Sequence, residues 1–231
     1  MPSKENTLLD LSDRILYKDP MVLVINKPAG IPVHAGPSGQ ENIEAALDLL
    51  RLEGKDLPKL AHRLDRDTSG CLVLGRGPNG LKRLHRLFRE GIVSKYYWAL
   101  TTGAPAKDEG LIDSPLTKLN TRQGWRIVVD PAGKASQTYW RVLARGKDIA
   151  WLEFRPKTGR THQVRVHAAS LGFPILGDLQ YGGGEGNLML HANQIDLPIY
   201  QNRPSVVVNA EPAPQFISKL ESFAPDWRNI S

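Results

Sequence analysis

The polar segment His62-Arg63-Leu64-Asp65-Arg66-Asp67-Thr68-Ser69-Gly70 contains the densest set of reactive side chains in the sequence. It places two carboxylates among strong donors, directly before the apolar run Cys71-Leu72-Val73-Leu74. A polar loop at the edge of a strand is where a rigid scaffold can present reactive groups. Asp65 is therefore a candidate nucleophile or general base. The same Asp, Thr, Ser and Gly residues also build turns, so local composition leaves a structural turn as the alternative.

A second segment, residues 155–167, carries four permanent cations and no carboxylate. Its pattern predicts a helix with Thr161 as the N-cap and with Gly172 as the stop signal. His162 and Arg165 share one face of that helix. An arginine in the first turns of a helix is well placed to pair with an anion in a cleft, and the alternative is an exposed surface arginine.

A third cluster is the aromatic run Lys95-Tyr96-Tyr97-Trp98, which lies in a strand predicted over residues 95–101. Because side chains alternate along a strand, Tyr97 faces away from both Tyr96 and Trp98. One face is then core, and the other is a candidate stacking platform for a nucleic-acid base. Core packing is the alternative for the whole run.

Positive charge is concentrated in the middle of the chain, although the net charge of all 231 residues is only +6. Residues 76–167 carry eighteen basic and seven acidic groups. Residues 1–75 carry nine basic and eleven acidic groups, and residues 168–231 carry three and six. This distribution indicates a polyanionic partner, with a solvated basic surface as the alternative.

Composition excludes several other classes of protein. There is neither a run of about 18 apolar residues nor an apolar N-terminal segment, so we expect no membrane span and no secretory signal. The single cysteine, Cys71, is expected to be a buried thiol, which fits a reducing cytoplasm. His162 and His167 do not share a helix face, and no second thiol is present, so we expect no metal.

Hydrophobic patterning predicts strands at residues 21–26, 71–74, 95–101, 138–143, 149–154, 189–196 and 205–209, and helices at 42–53, 79–90, 161–171 and 214–222. Residues 1–13 form a polar lead-in. Strands outnumber helices without alternating regularly with them, which predicts an α+β fold with a mixed, mostly antiparallel sheet flanked by helices and loops. The helix at 79–90 has a cationic face formed by Lys82, Arg86 and Arg89.

Six stretches of the sequence, in order, resemble the motifs of the RluA-type pseudouridine synthases. They are Asn26 to His34, His62-Arg63-Leu64-Asp65 with Thr68-Ser69-Gly70, Lys95-Tyr96-Tyr97-Trp98-Ala99, Gly159 to His167, Ile175-Leu176-Gly177-Asp178 with Tyr181-Gly182, and Leu190-His191-Ala192. The resemblance implies the pseudouridine synthase catalytic fold as a single domain over residues 1–231, with room for two lobes around a central cleft. The chain resembles the short members of the family, which lack its S4 domain.

The resemblance also implies a function and a set of roles. The protein would isomerise specific uridines of structured ribosomal or transfer RNA to pseudouridine, without a cofactor. Asp65 would be the catalytic aspartate, Tyr97 would stack on the target base, and Arg165 would form an ion pair with Asp65. Arg63 would enter the space left by the flipped base, and Val164 would border the pocket. The other candidates for RNA contact are His62, Thr68, Lys82, Arg86, Arg89, Arg160 and His162.

Three other functions are compatible with parts of the sequence. Asp65-Arg66-Asp67-Thr68 superficially resembles the loop of Mg²⁺-dependent aspartyl phosphatases, but the preceding Ala61-His62-Arg63-Leu64 is not the apolar strand they require. A retaining glycosidase needs two carboxylates about 5 Å apart. Asp67 is the nearby candidate for the second carboxylate beside Asp65, but the long cationic segments suit RNA better than a sugar. A non-catalytic RNA-binding module would use the same basic surface without needing Asp65 beside Arg165. We expect a monomer in the cytoplasm that binds RNA and no membrane.

Overall fold

The computed structural model describes residues 10–36, 41–51, 57–122 and 124–230. Within these ranges the strands are β1 (Ile15–Lys18), β2 (Val22–Lys27), β3 (Lys59–Leu60), β4 (Ser69–Gly75), β5 (Ser94–Thr101), β6 (Glu109–Asp113), β7 (Leu116–Thr121), β8 (Gly124–Val129), β9 (Gln137–Arg145), β10 (Ala150–Pro156), β11 (Leu190–Leu197) and β12 (Val206–Asn209). The α-helices are α1 (Ile43–Ala46), α2 (Gly77–Arg89), α3 (Gln163–Ser170) and α4 (Pro214–Glu221). Short 3-10 helices occupy Ser12–Arg14, Leu47–Leu50 and Trp227–Asn229.

Ten of the described strands form one sheet, in the order β1-β2-β4-β11-β5-β10-β9-β6, with β3 paired to β4 and β12 paired to β11. β11 runs parallel to β4, with His191 opposite Ser69 and Ala192 opposite Gly70. The other described pairs in this sheet are antiparallel. β7 and β8 form a separate antiparallel hairpin. The predicted α+β fold with a mixed, mostly antiparallel sheet is confirmed.

β4 anchors the reactive loop, which we define as residues 62–70. Its run from Cys71 to Leu74 is at most 1% exposed, as expected of an apolar strand covered on both faces. Gly70 has φ +108°, and a Cβ at this position would collide with the carbonyl oxygen of Ala192 in β11. Only glycine permits so close an approach of two backbones, so the end of the reactive loop is fixed against β11.

α2 confirms the amphipathic helix predicted at residues 79–90 and begins slightly earlier, at Gly77. Pro78 lies in its first turn, where a missing N–H removes no intrahelical hydrogen bond. Leu84 and Leu87 are buried against the core on one face. The opposite face exposes the three predicted cations, Lys82, Arg86 and Arg89.

The helix predicted at residues 42–53 is shorter than expected. The side chain of Asn42 accepts a hydrogen bond from the N–H of Ala45 (3.0 Å) and caps α1, which then tightens into a 3-10 turn over Leu47–Leu50. Residues 52 and 53 lie outside the described part of the chain. The predicted apolar stripe is confirmed, because its members are at most 2% exposed: Ile43, Ala46, Leu47 and Leu50.

The N-cap predicted for α3 is wrong. The residue before the helix is His162, which has a left-handed backbone (φ 53°, ψ 16°) and no side-chain capping bond. The turn is closed instead by Gln163, whose Oε1 accepts hydrogen bonds from the N–H of Arg160 (3.0 Å) and the hydroxyl of Thr158 (2.7 Å). Thr161 therefore lies in the turn before the helix.

Several further observations bear on the sequence predictions. Burial raises the pKa of the Cys71 thiol to about 12, which confirms a buried core thiol.

Of the polar lead-in predicted at residues 1–13, residues 1–9 lie outside the described part of the chain, and Leu11 is buried. Among the described residues, no helix has the length and apolar character needed to cross a membrane.

Candidate active site

The reactive loop is held in place by the buried side chain of Lys27. Its ammonium donates hydrogen bonds to three backbone carbonyls, those of Pro28, Ile31 and Arg66, at 2.7, 2.8 and 2.9 Å. Three acceptors match the three donors of a lysine. Burial lowers the pKa of Lys27 to about 8. Lys27 thereby ties the end of β2 to the backbone that follows Asp65.

Arg165 is anchored beside Asp65 by a buried carboxylate. Asp178 accepts hydrogen bonds from Arg165 Nε at 2.7 Å and Nη2 at 2.8 Å. This bidentate pair leaves Arg165 Nη1 3.7 Å from Asp65 Oδ2. Burial alone would lower the pKa of Arg165, but the hydrogen bonds and charge of Asp178, followed by the charge of Asp65, raise it. A permanent cation therefore stands beside the Asp65 carboxylate.

His162 approaches the same carboxylate from the residue before α3. Its Nε2 lies 3.9 Å from Asp65 Oδ2, and its Nδ1 lies 2.9 Å from the hydroxyl of Tyr181. The indole of Trp125, from β8, stacks on the imidazole at 5.2 Å and 29°. Burial lowers the pKa of His162; the charge of Asp65 opposes this effect and that of Arg165 adds to it, and the net shift is downward, which favours the neutral ring.

Tyr97 enters the site from β5, on the strand face opposite to Tyr96 and Trp98, as the alternation predicts. It packs against the core residues on its side of the sheet and lines the same cleft as Asp65. Burial raises the pKa of the Tyr97 hydroxyl, and the negative charge of Asp65 adds to this effect. On the other face, the guanidinium of Arg155 lies 4.7 Å above the ring of Tyr96.

The carboxylate of Asp65 lies between two clefts. One has a volume of about 640 Å³ and is lined by Asp65, Tyr97, Val164 and Arg165 among other residues. The adjoining cleft has a volume of about 580 Å³ and shares Asp65, His162 and Arg165 with the first. Among the described residues, no group of three or more His, Cys, Asp or Glu side chains is placed to hold a metal ion.

Several other predicted contact residues also line the first cleft, which contains His62, Arg63, Thr68 and Arg160. Arg63 is exposed. His62 stacks on Phe88 at 4.6 Å, and its Nε2 accepts a hydrogen bond from the N–H of Val73 (3.0 Å). Burial, followed by the charge of Lys95, lowers the pKa of His62 to about 3, so this neutral ring secures the start of the reactive loop.

Thr68 is 2% exposed, and its hydroxyl has no hydrogen-bond partner among the described residues. The three predicted cations of α2 differ in how they relate to the first cleft. All three line a groove of about 870 Å³ along the helix, and Arg89 also lines the first cleft. The structure therefore brings Arg89, and not Lys82 or Arg86, to the cleft that contains Asp65.

Sequence reasoning assigned no role to four residues of the site, Lys27, Asp178, Tyr181 and Trp125. For Lys27, the available signal was its position at the end of the apolar run Met21 to Asn26. A lysine that is buried there needs several hydrogen-bond acceptors. Asp178 and Tyr181 stood inside a recognised motif, and nothing in their spacing showed that they reach Arg165 and His162. Trp125 lies on a hairpin that was not predicted.

Comparison with known proteins decides the family. Residues 21–170 match the family described as RNA pseudouridylate synthase. The chain belongs to this family. An uncharacterized RNA pseudouridine synthase of Zymomonas mobilis is 44% identical over 217 residues, which are 91% of this chain and 98% of that protein. The predicted RluA-type family and the predicted enzyme class, an RNA-acting isomerase, are confirmed.

Two further relatives of this RNA pseudouridine synthase extend the comparison. The ribosomal large subunit pseudouridine synthase C of Rickettsia prowazekii is 39% identical over 194 residues, which cover 81% of this chain and 64% of that protein. The structure of human RNA pseudouridylate synthase domain containing 4 has a TM-score of 0.77 and 28% sequence identity, covering 91% of this chain and 93% of that one. RNA is therefore the substrate class of this enzyme.

Proposed function

We propose that this enzyme isomerises a uridine in a structured stem-loop of ribosomal RNA, with Asp65 as its catalytic residue. The observation that carries the assignment is the Asp65 carboxylate, 3.7 Å from Arg165 Nη1 in a cleft that Tyr97 also lines. The relatives from Rickettsia and Vibrio that are named ribosomal large subunit pseudouridine synthase C support ribosomal RNA as the target. Transfer RNA is the alternative target.

The reaction requires no change of oxidation state. The bond between N1 of uracil and C1′ of ribose breaks, and a bond between C5 and C1′ forms. The hydrogen on C5 leaves as a proton, and N1 gains one, so the atoms balance without a transferred group. Asp65 starts the release of uracil as a nucleophile or as a base. Arg165 supplies the countercharge that a carboxylate needs when substrate excludes water from the cleft.

The target uridine must leave its stack before it can reach Asp65. Flipping a nucleotide costs a few kcal/mol, and least in loops, where pairing is already lost. Stacking on the ring of Tyr97 offsets part of that cost, because a base on an aromatic side chain is worth about 1–3 kcal/mol. Arg63 is exposed and lines the cleft, and it would enter the space that the base leaves. Val164 supplies an apolar wall.

Binding of the RNA backbone relies on the cations around this cleft, including Arg89 and Arg160. Phosphate contacts of this kind weaken with salt, because each one releases condensed counterions. Lys82 and Arg86 would extend the contact along α2. We further propose that the enzyme acts as a monomer and that it is located in the cytoplasm. A reducing compartment of this kind keeps a lone thiol such as Cys71 reduced.

Release of tritium from C5 tests the function directly. Transcribed ribosomal and transfer RNA carrying tritium at uridine C5 are incubated with the wild-type enzyme, with Asp65→Asn and with Asp67→Asn, in the presence of EDTA. Asp67 is a matched control, because it is a carboxylate of the same loop that pairs with Arg66 at 3.0 Å. We expect release by the wild type and by Asp67→Asn, and none by Asp65→Asn, whose RNA affinity stays within a few-fold.

Each outcome has a distinct meaning. Release from one RNA identifies the substrate, and release from transfer RNA alone overturns the ribosomal target. Equal release by wild type and Asp65→Asn overturns the catalytic assignment of Asp65. Tight binding of both RNAs without any release favours a non-catalytic RNA-binding module.

A further inference from the structure

His162 occupies a backbone conformation that side chains other than glycine rarely adopt. Its φ of 53° places it in the left-handed region, where a residue outside glycine, asparagine and aspartate carries a steric cost. Such strain persists only where the surroundings enforce it, and it is concentrated at functional sites. Here the conformation directs the imidazole at Asp65 rather than along α3.

Two neighbours determine where the proton of the imidazole resides. The backbone N–H of Ile127 donates a hydrogen bond to the hydroxyl oxygen of Tyr181 at 3.1 Å. That oxygen lies 2.9 Å from His162 Nδ1. Because His162 Nε2 faces the Asp65 carboxylate, an N–H on Nε2 is attracted to it, whereas a lone pair there would be repelled. The neutral imidazole then carries its single N–H on Nε2, and the Tyr181 hydroxyl donates to Nδ1.

Within the described part of the chain, the two cationic or imidazole side chains near the Asp65 carboxylate both approach the same oxygen. His162 Nε2 lies 3.9 Å from Oδ2, and Arg165 Nη1 lies 3.7 Å from the same atom. Both separations exceed a direct hydrogen bond, so these donors act by electrostatic attraction on Oδ2. The attraction favours the rotation of the carboxylate in which Oδ2 faces these two donors.

We propose that His162 is a positioning residue for Asp65, which the Tyr181 hydroxyl and the Trp125 indole hold with its Nε2–H directed at Oδ2. The inference rests on the proposed catalytic role of Asp65. The alternative is the predicted RNA contact of His162, which the KM of its variants tests. A neutral N–H orients the carboxylate without adding a second full positive charge to it, so the carboxylate keeps its reactivity.

Charged and titratable groups from several elements surround His162 and influence its pKa. The charged and titratable groups facing it are Asp65 and Arg63 from the reactive loop, Arg165 from α3, and Asp178 and Tyr181 from the segment after α3. The β7–β8 hairpin contributes Trp125, over which Lys118 Nζ lies at 4.8 Å. Protonation of His162 at low pH would place a second cation beside Arg165, and the hydrogen bond from Tyr181 opposes it.

The pH dependence of turnover separates this role from a purely structural one. Tritium release by wild type, Tyr181→Phe, His162→Gln and His162→Asn is measured between pH 5.5 and 8.5, with kcat and KM determined separately. Phenylalanine keeps the ring beside Arg165 and removes only the hydroxyl. Glutamine can place an amide N–H near the position of Nε2, whereas asparagine suits the left-handed backbone and is too short to reach Asp65.

We expect Tyr181→Phe to lower kcat about ten-fold with KM within two-fold. Its activity should also fall at a higher pH than that of the wild type, because loss of the hydroxyl raises the pKa of His162. His162→Gln should retain at least five-fold more activity than His162→Asn, and neither should show the acidic decline. Equal activity of these two variants, or an unchanged pH profile in Tyr181→Phe, would falsify the inference. A rise in KM with unchanged kcat would restore His162 as an RNA contact. A wild type without tritium release would instead refute the proposed function.

Discussion

Asp178 binds Arg165 through two hydrogen bonds, of 2.7 and 2.8 Å, and so directs the remaining guanidinium nitrogen at Asp65. The side chain of Asp178 is fully buried, and its Oδ1 also accepts the N–H groups of Gln180 and Tyr181. One buried carboxylate thus fixes both the arginine and the segment that carries Tyr181. The geometry of Asp65 depends on a residue that does not touch it.

Asp178→Asn should therefore damage both stability and turnover. Breaking one partner of a buried ion pair costs about 3–5 kcal/mol, and the retained amide oxygen of asparagine places this variant at the lower end. Urea unfolding followed by tryptophan fluorescence gives the stability, and tritium release gives the rate, which we expect to fall at least ten-fold. Asp148→Asn, at an exposed turn, removes the same charge and should change neither. An Asp178→Asn variant as stable as the wild type would contradict the anchoring role.

Lys27→Met tests the link between β2 and the reactive loop. Methionine fills a similar volume but leaves the carbonyls of Pro28, Ile31 and Arg66 without their donor, so we expect a loss of about 2 kcal/mol or more. The pKa of Lys27 is lowered to about 8 from 10.5 in the unfolded chain. Above pH 8 the unfolded wild type retains a proton that the folded wild type releases, so its stability rises with pH.

The difference in unfolding free energy between wild type and Lys27→Met should accordingly increase from pH 8 to pH 9.5, by about 1 kcal/mol per pH unit. The depressed pKa of Lys95 is common to both proteins and cancels in the difference. Urea titrations at pH 7.5, 8.5 and 9.5 measure it. A difference that is constant or shrinks with pH would show that the Lys27 ammonium keeps its ordinary pKa.

The cationic face of α2 should contribute to RNA binding and not to the chemical step. Lys82→Ala/Arg86→Ala should leave kcat within two-fold and lower the slope of log K against log salt by roughly 0.7–0.9 per lost phosphate contact. Filter binding at several salt concentrations gives the slope. Lys107→Ala/Lys219→Ala removes the same charge from exposed positions elsewhere and is the matched control. Equal slopes for the two double variants would exclude the α2 groove from the RNA path.

The sequence was sufficient for the parts of the site that depend on local pattern. Alternation along β5 placed Tyr97 opposite Tyr96 and Trp98, and the apolar run after Gly70 placed the reactive loop at the edge of a buried strand. The helix periodicity after residue 163 placed Arg165 and Val164 on different faces. Each of these placements follows from the side-chain periodicity of a single strand or helix, and that periodicity can be read from the local sequence.

The remaining features depend on contacts between distant segments or on a single side chain. The left-handed turn at His162 exists because the Gln163 side chain closes it, and this contact is invisible to propensity. The β7–β8 hairpin has mostly exposed residues, so it lacks the alternation that marks a half-buried strand. The approach of Asp178 to Arg165 follows from the course of the chain after α3, which no spacing rule predicts.

The order of strands implies that the candidate active site assembles late in folding. β4, which carries the Asp65 loop, and β5, which carries Tyr97, are not neighbours, because β11 lies between them and pairs with both. The sheet therefore joins the strands that carry Asp65 and Tyr97 only through residues 190–197, which lie about a hundred residues further along the chain. Such pairing between distant segments is the slow part of forming a sheet. The cleft that brings the Asp65 carboxylate and the Tyr97 ring together is consequently a product of long-range pairing, so we expect it to be among the last parts of the sheet to form.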